Sequence, residues 1–272
     1  MDRKNNCKDF EEALNTEVKI QNRSQRRCGV RYRVAHANEH VLFCAGRYGD
    51  CYGYSMSSNK FRKLETYPEM KQPGDIIVDG HIVYAVGSSS IFSQNCSFVL
   101  YAYDTRENKW THLPSMKKAR YMQCSVVLDS KIYVIGGRNI DSSDTTISHS
   151  VECYDTVEKT WTAKASTLSP RVFSCAVATK KYIYVMGGNA SPPDDQQGVN
   201  TVERYCPLND EWTQAPSLTT KRYSSSAVYF QDKIYVFGGR NLVELHTFEY
   251  LEANGKQWVQ VASPTPRPSA RR

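Results

Sequence analysis

Apolar residues in this chain come in short runs broken by Gly, Asp, Asn and Ser, and nothing in its repeated region keeps a helical apolar period over several turns. One stretch shows the pattern. Cys124 to Leu128 is apolar and β-branched, Asp129-Ser130 is a turn signal, and Lys131 to Ile135 is rich in Ile, Tyr and Val before it meets Gly136-Gly137. From Ser150 to Asp155 the residues alternate, with Val151, Cys153 and Asp155 on one face and Glu152 and Tyr154 on the other. Thr160 to Thr162 then carries Trp161. The pattern predicts four short antiparallel strands.

The same stretch is written again at a spacing of 51 residues. Ile132-Tyr133-Val134-Ile135-Gly136-Gly137 returns as Ile183-Tyr184-Val185-Met186-Gly187-Gly188 and as Ile234-Tyr235-Val236-Phe237-Gly238-Gly239. Trp110, Trp161 and Trp212 keep that spacing, as do Tyr103, Tyr154 and Tyr205, and Arg120, Arg171 and Arg222. Two looser copies lie upstream, one around Leu42 to Gly46, with Tyr54 and Phe61 as its aromatic markers, and one around Val83 to Ser88. A fifth copy ends on Tyr250 and Trp258, eight apart, which reads as one inserted residue. A period of this length means a ring or stack of supersecondary units. Four strands per unit suggest propeller blades. The double glycine leaves room where blades crowd near the axis and permits a positive φ. Tyr and Trp fill the gap between blades and keep a polar tip to bond.

Apolar-Gly-Gly, then Tyr, then Trp about seven residues on, then Arg ten residues later resembles the kelch repeat, over about residues 29–270. Val202-Glu203-Arg204-Tyr205 followed by Glu211-Trp212 is similar to the kelch modules of BTB-kelch proteins. The resemblance implies an all-β, kelch-type β-propeller of five visible four-stranded blade units at residues 28–272, part of a six-bladed ring. Residues 1–27 then form a flexible or helical leader. Pro266-Arg267-Pro268 reads as the start of a sixth first strand, so an open arc is expected. Ala45 and Ser88 stand at glycine positions, Phe61 replaces Trp and Lys71 replaces Arg.

Charge changes the picture only by exclusion. The net charge is +7, but residues 1–33 hold nine Lys/Arg and five Asp/Glu, and Arg267, Arg271 and Arg272 add three more positive charges, so residues 34–266 are neutral (7 − 4 − 3 = 0). A nucleic-acid module needs its basic stripe on the folded body, so no nucleic-acid partner is expected. Nine cysteines with no CxxC pair indicate neither a disulfide ladder nor a zinc site. Cys124 and Cys175 share one repeat position and read as inert buried thiols. The chain shows no signal peptide and no membrane span. A reducing cytosolic or nuclear setting follows. His36, His40, His81, His112, His149 and His246 are scattered, and no H-E-x-x-H, G-x-S-x-G or P-loop occurs. No enzyme activity, metal or cofactor is expected, although some kelch-type propellers carry copper or iron.

Length varies in one place. From the Trp position to the Arg position is ten residues and from Arg to the first glycine sixteen, whereas the second glycine to Tyr ranges from 8 to 17 residues. The loops between second and third strands, at 47–50, 89–99, 138–150, 189–201 and 240–246, are therefore candidates for recognition. Strands alternate in direction, so the connection from one blade to the next emerges on the same face. That face is expected to carry Arg120, Arg171, Arg222, Arg138, Arg240, Arg47, Tyr121 and Tyr223 as partner-binding residues. Arginine clusters suit carboxylates, which points to a target protein or peptide, acidic in character. For Arg120, Arg171 and Arg222 the alternative is a brace on backbone carbonyls. The repeat anchors Gly136, Gly137, Gly187, Gly188, Gly238, Gly239, Tyr103, Tyr154, Tyr205, Trp110, Trp161, Trp212 and Trp258 are expected to serve the fold.

By resemblance, the propeller is the substrate receptor of a cullin-RING ubiquitin ligase adaptor. No stretch of the chain reads as a BTB domain, so the ligase is expected as a partner only through one supplied elsewhere. An actin or cytoskeletal scaffold is the alternative.

Overall fold

The computed structural model describes residues 33–37, 41–45, 51–55, 60–68, 73–88, 98–139, 146–190, 197–252 and 255–261. Among them the chain is all β, in five four-stranded antiparallel sheets. Blade one is β1 (Arg33–Ala37), β2 (Val41–Ala45), β3 (Cys51–Ser55) and β4 (Lys60–Lys63); blade two is β5 (Pro73–Asp79), β6 (Ile82–Ser88), β7 (Leu100–Asp104) and β8 (Lys109–Leu113). The short strand β9 (Arg120–Tyr121) leads into blade three, made of β10 (Cys124–Leu128), β11 (Lys131–Ile135), β13 (Val151–Asp155) and β14 (Thr160–Lys164), with β12 (Arg138–Asn139) paired to β9. Blade four is β15 (Cys175–Ala178), β16 (Ile183–Met186), β17 (Val202–Cys206) and β18 (Glu211–Ala215). Blade five is β19 (Ser226–Phe230), β20 (Lys233–Phe237), β23 (Phe248–Glu252) and β24 (Val259–Val261), with a small hairpin of β21 (Arg240–Asn241) and β22 (Val243–Glu244). This is the kelch-type propeller blade that the repeat predicts. The leader at 1–27, Arg47 and the stretch 266–268 lie outside the described residues.

Within each blade the strands pair in chain order, and the first strands of successive blades pack on one another: β1 on β5, β5 on β10, β10 on β15 and β15 on β19. The core lies between blades. The rear face of blade three offers Cys124, Val126, Tyr133, Ile135 and Val151 to Ile183, Val185, Tyr205 and Trp212 of blade four. Blade four repeats this with Cys175, Val177, Tyr184, Met186 and Val202 against Ile234, Val236, Leu251 and Trp258 of blade five. The two-residue period of a strand therefore feeds two different interfaces, one per face. Each Trp also ties its blade to the preceding one. The indole N–H of Trp110 donates to the Glu65 carbonyl (3.1 Å), that of Trp161 to Pro114 (2.7 Å), that of Trp212 to Ala165 (2.8 Å) and that of Trp258 to Pro216 (2.7 Å). The ring fills the gap and the polar edge meets a carbonyl.

Register corrects one reading of the sequence. Tyr154 and Tyr205 stand opposite Ile132 and Ile183, and the residue opposite Ile234 is Leu251, not Tyr250. Leu251 precedes Trp258 by seven residues, so blade five has no inserted residue at this point. Tyr250 occupies the opposite face, opposite Tyr235.

The hairpins joining third and fourth strands turn on one left-handed residue each, Asn108 (φ 55°), Lys159 (φ 57°) and Asp210 (φ 51°). Asn108 and Asp210 accept hydrogen bonds from the Tyr103 and Tyr205 hydroxyls, both at 2.6 Å. Lys159 offers no acceptor, and the buried Tyr154 hydroxyl has no partner among the described residues.

Candidate functional site

Three copies of one buried arrangement shape the face on which the loops gather. Arg120, Arg171 and Arg222 are the largest fully buried side chains of the described chain. The Arg120 guanidinium donates to the carbonyls of Gly136 (3.0 Å) and Ser150 (2.9 Å) and pairs with Glu152 at 2.7 Å. Arg171 donates to the Gly187 carbonyl at 3.0 Å and pairs with Glu203; Arg222 donates to the Gly238 carbonyl and pairs with Glu249, both at 2.6 Å. Burial draws the Arg120 guanidinium below its usual range and Glu152 opposes that shift; an arginine stays protonated regardless. The same carboxylates accept backbone N–H groups from the preceding connection, Lys117 and Lys118 on Glu152, Leu168 on Glu203, and Thr219 and Thr220 on Glu249. Each Arg–Glu pair thus clamps the link between two blades. These placements correct the assignment of Arg120, Arg171 and Arg222 to partner contact: their polar ends are held inside the protein by carbonyls and a carboxylate. The glutamates went unnoticed in the sequence, although Glu152 and Glu203 keep the 51-residue spacing.

The double glycine fits this clamp. Gly136 (φ 65°) and Gly137 (φ 92°) are left-handed, and a β-carbon on Gly136 would stand 2.6 Å from the Arg171 carbonyl oxygen of the next connection. A β-carbon on Gly137 would stand 2.9 Å from the Tyr121 carbonyl oxygen. The Gly137 and Gly188 N–H groups donate to the Arg171 and Arg222 carbonyls at 3.0 and 2.9 Å. So glycine is required here by both conformation and contact.

Just beyond the glycines, the chain pairs with the connection arriving from the preceding blade. Arg138 pairs through its backbone with Tyr121, Asn189 with Val172, and Arg240 with Tyr223. The Tyr223 and Arg240 backbones exchange two hydrogen bonds, at 3.0 and 2.9 Å. Tyr121, Arg138 and Tyr223 are half-buried and Arg240 is exposed. The four residues named from the loops therefore come together as two Tyr–Arg neighbours, one in blade three and one in blade five. Lys117, Lys118 and Lys221 are exposed on the adjoining connections.

Between the two pairs runs a strained inner rim. Met122 (φ 59°), Phe173 (φ 54°) and Ser224 (φ 52°) occupy one repeat position and are all left-handed. The Phe173 N–H donates to the Met122 carbonyl (3.0 Å), and the Ser224 N–H donates to the Phe173 carbonyl (2.8 Å). These bonds lock successive blades together and hold a conformation that bulky residues avoid. Phe173 lies 6.2 Å from the Tyr223 ring, centre to centre, at a tilt of 49°. Phe173 follows Arg171 and Val172 onto this face, and its left-handed backbone leaves no mark in the residue pattern.

Among the described residues, no three His, Cys, Asp or Glu side chains gather as a metal site would require. The Cys124 thiol, pushed up to about 12 by burial, carries no thiolate at neutral pH. No helix among the described residues is long and apolar enough to cross a membrane.

The blade geometry agrees with the comparisons to known proteins. The family model of the KLHDC2/KLHL20/DRC7 Kelch-repeats domain matches residues 75–272. The chain is 26% identical over 196 residues to Kelch-like protein 26 of Danio rerio, covering 70% of this chain and 31% of that protein. It is 26% identical over 208 residues to Kelch repeat and BTB domain-containing protein 8 of Homo sapiens, covering 74% and 33%. To Beta-scruin of Limulus polyphemus it is 31% identical over 178 residues, covering 60% and 19%. The chain thus spans about a third or less of the length of these relatives. With five four-stranded blades, Arg–Glu clamps at three of their junctions, and a family model matched over most of its length, the chain belongs to the kelch-repeat family.

Proposed function

We propose that this propeller recognises a target protein through the face that carries the second-to-third-strand loops and the blade-to-blade connections, as the substrate-receptor part of a cullin-RING ubiquitin ligase adaptor. One observation carries the reading: Tyr121 with Arg138, and Tyr223 with Arg240, are backbone-paired neighbours on one face. Tyrosine and arginine are the side chains that dominate protein interfaces, because they combine a large apolar body with a polar end. The inner arginines are already neutralised by Glu152, Glu203 and Glu249. The exposed Arg240, Lys117, Lys118 and Lys221 supply the positive character for an acidic target. Kinship to proteins whose names join kelch repeats to a BTB domain supports the adaptor reading. Recruitment of the ligase is assigned to such a domain and not to the repeats.

A pull-down from cytosolic extract, with the chain beside its Arg138, Arg240, Tyr121, Tyr223 quadruple alanine variant, tests the site. A partner that the variant loses while it keeps its fold is the expected result. Cullin or BTB proteins accompanying that partner would support the adaptor role. Identical partners in both would end the site assignment. Co-sedimentation with filamentous actin, lost in the same variant, would replace the adaptor by a cytoskeletal scaffold.

A further inference from the structure

On the same face, the small hairpin of blade five combines two features that folding alone leaves unexplained. Its strands pair Arg240 with Glu244 and Asn241 with Val243, so Leu242 stands alone at the apex. Leu242 is left-handed (φ 63°), a conformation in which its β-carbon crowds the backbone and which glycine or asparagine adopts far more readily. It is also 63% exposed, and Val243 beside it is 65% exposed. A strained apolar residue in water costs stability twice, through its backbone and through its lost burial. Glycine or asparagine would remove both costs at once.

The surroundings are built rather than loose. The Leu245 N–H closes the hairpin on the Gly239 carbonyl at 2.9 Å, and the Asn241 carboxamide accepts the Gly198 N–H of the neighbouring blade at 3.1 Å. The base of the hairpin is Arg240, whose backbone pairs with Tyr223, whose ring in turn meets Phe173. An exposed aliphatic tip, an exposed arginine and two half-buried aromatic rings are thus joined in sequence by backbone pairing and one ring contact. Val157 and Leu208, also exposed, stand at matching positions in the hairpins that join third and fourth strands of blades three and four.

We infer that the Arg240–Glu244 hairpin is an anchor for an extended peptide segment of the target, seating an apolar side chain on Leu242 and Val243 and a nearby carboxylate on Arg240. This rests on the proposed recognition face and narrows it to one hairpin and one ligand chemistry. The left-handed turn holds the Leu242 side chain at the tip, so no ordering of the loop is needed when the peptide arrives. Arginine, with its planar fork of donors, suits the carboxylate.

Random linear peptides displayed on phage, selected on the purified full chain, supply the probe. Enriched peptides are then made and titrated against the chain, a Leu242→Gly/Val243→Ser variant, and the quadruple alanine variant. The expected consensus sets an apolar residue beside Asp or Glu, and the hairpin variant loses about tenfold or more in affinity, a change of about 1.4 kcal/mol. Its thermal midpoint stays level or rises, since glycine accepts the turn without strain. Peptides that bind the hairpin variant as well as the parent overturn the inference. If those peptides still lose the quadruple variant, the recognition face stands; if they do not, both fall. Enriched peptides with no acidic-apolar pairing also overturn it. So does sedimentation with phosphatidylserine vesicles that only the hairpin variant loses, which would make the tip a membrane contact.

Discussion

The rear faces of blades four and five are built to the same register and meet different neighbours. In blade four, Val177, Tyr184, Met186 and Val202 lie buried against blade five. The same positions in blade five are Val228, Tyr235, Phe237 and Phe248, with Phe230 and Tyr250 at the margins. Here Val228 is 42% and Phe230 47% exposed, and the other four are half-buried. The aromatic rings cover one another instead. Phe237 lies 5.5 Å from Phe248 and 6.2 Å from Tyr235, and Tyr235 lies 5.8 Å from Tyr250. The four described strands of blade five nonetheless pair in chain order, as those of blade four do. A blade therefore takes its internal register from its own hydrogen bonds and its front face, while burial of its rear face depends on what stands behind it.

The Arg–Glu clamps should be indifferent to that contrast. Arg171 and Arg222 sit at successive junctions with the same partners and nearly the same burial. Replacing either by alanine strands a buried carboxylate, which costs about 3–5 kcal/mol. Denaturant unfolding of Arg171→Ala and Arg222→Ala should show matching losses. A loss at Arg222 well below that at Arg171 would mean that blade five, with its half-exposed rear face, holds its clamp less firmly.

Apolar truncation should separate the two faces. Met186→Ala, in the closed interface, is expected to cost about 2–5 kcal/mol. Phe237→Ala removes a larger side chain from the matching position, yet should cost only about 1–2 kcal/mol, since much of the ring already meets water. Equal losses in chemical denaturation would show that blade five's rear face is buried in solution.

A smaller difference is expected at the first glycine. A β-carbon on Gly136 meets the Arg171 carbonyl at 2.6 Å, while on Gly238 the nearest atom is the Leu245 carbonyl oxygen at 3.6 Å. Both positions are left-handed, so alanine costs about 1–2 kcal/mol at either. Gly136→Ala should lose a further 1–3 kcal/mol or so to overpacking. Thermal midpoints of the two variants measure this gap, and identical midpoints would mean that the next blade yields to the new methyl group.

The repeat made the blades, their strands and the glycine and tryptophan positions legible, because each is fixed by a local requirement that recurs at one spacing. Three features escaped for different physical reasons. The brace of Arg120, Arg171 and Arg222 on backbone carbonyls is open in the sequence, but their ion pairs with Glu152, Glu203 and Glu249, between residues about 30 positions apart, leave no local pattern. Tyr250 was matched to the tyrosine column by identity, whereas strand register places Leu251 there. The left-handed turn at Leu242 defies its residue preference, so no sequence rule points to it. In the candidate site, loop length and alternation put Tyr121, Arg138, Tyr223 and Arg240 on one face, but their pairwise contact comes from backbone bonds that only the fold supplies.

The mildest contrast lies between the outer hairpins of blades three and four. Asp210 in blade four takes the left-handed turn and accepts the Tyr205 hydroxyl at 2.6 Å. Asn108 does the same for Tyr103 in blade two. Lys159 takes the same turn with no acceptor, and Tyr154 is left with a buried hydroxyl that has no partner among the described residues. Asparagine adopts the left-handed region more readily than lysine and brings the missing carbonyl oxygen. Lys159→Asn should therefore stabilise the protein by about 1 kcal/mol, the net worth of one satisfied hydrogen bond. Tyr154→Phe in the parent should be close to neutral, because it removes an unpaired hydroxyl, and in the Lys159→Asn background it should cancel the gain. A double-mutant cycle on residues 154 and 159, followed by thermal unfolding, measures that coupling. A zero coupling would show that water already serves the Tyr154 hydroxyl and that blade three lacks nothing its neighbours have.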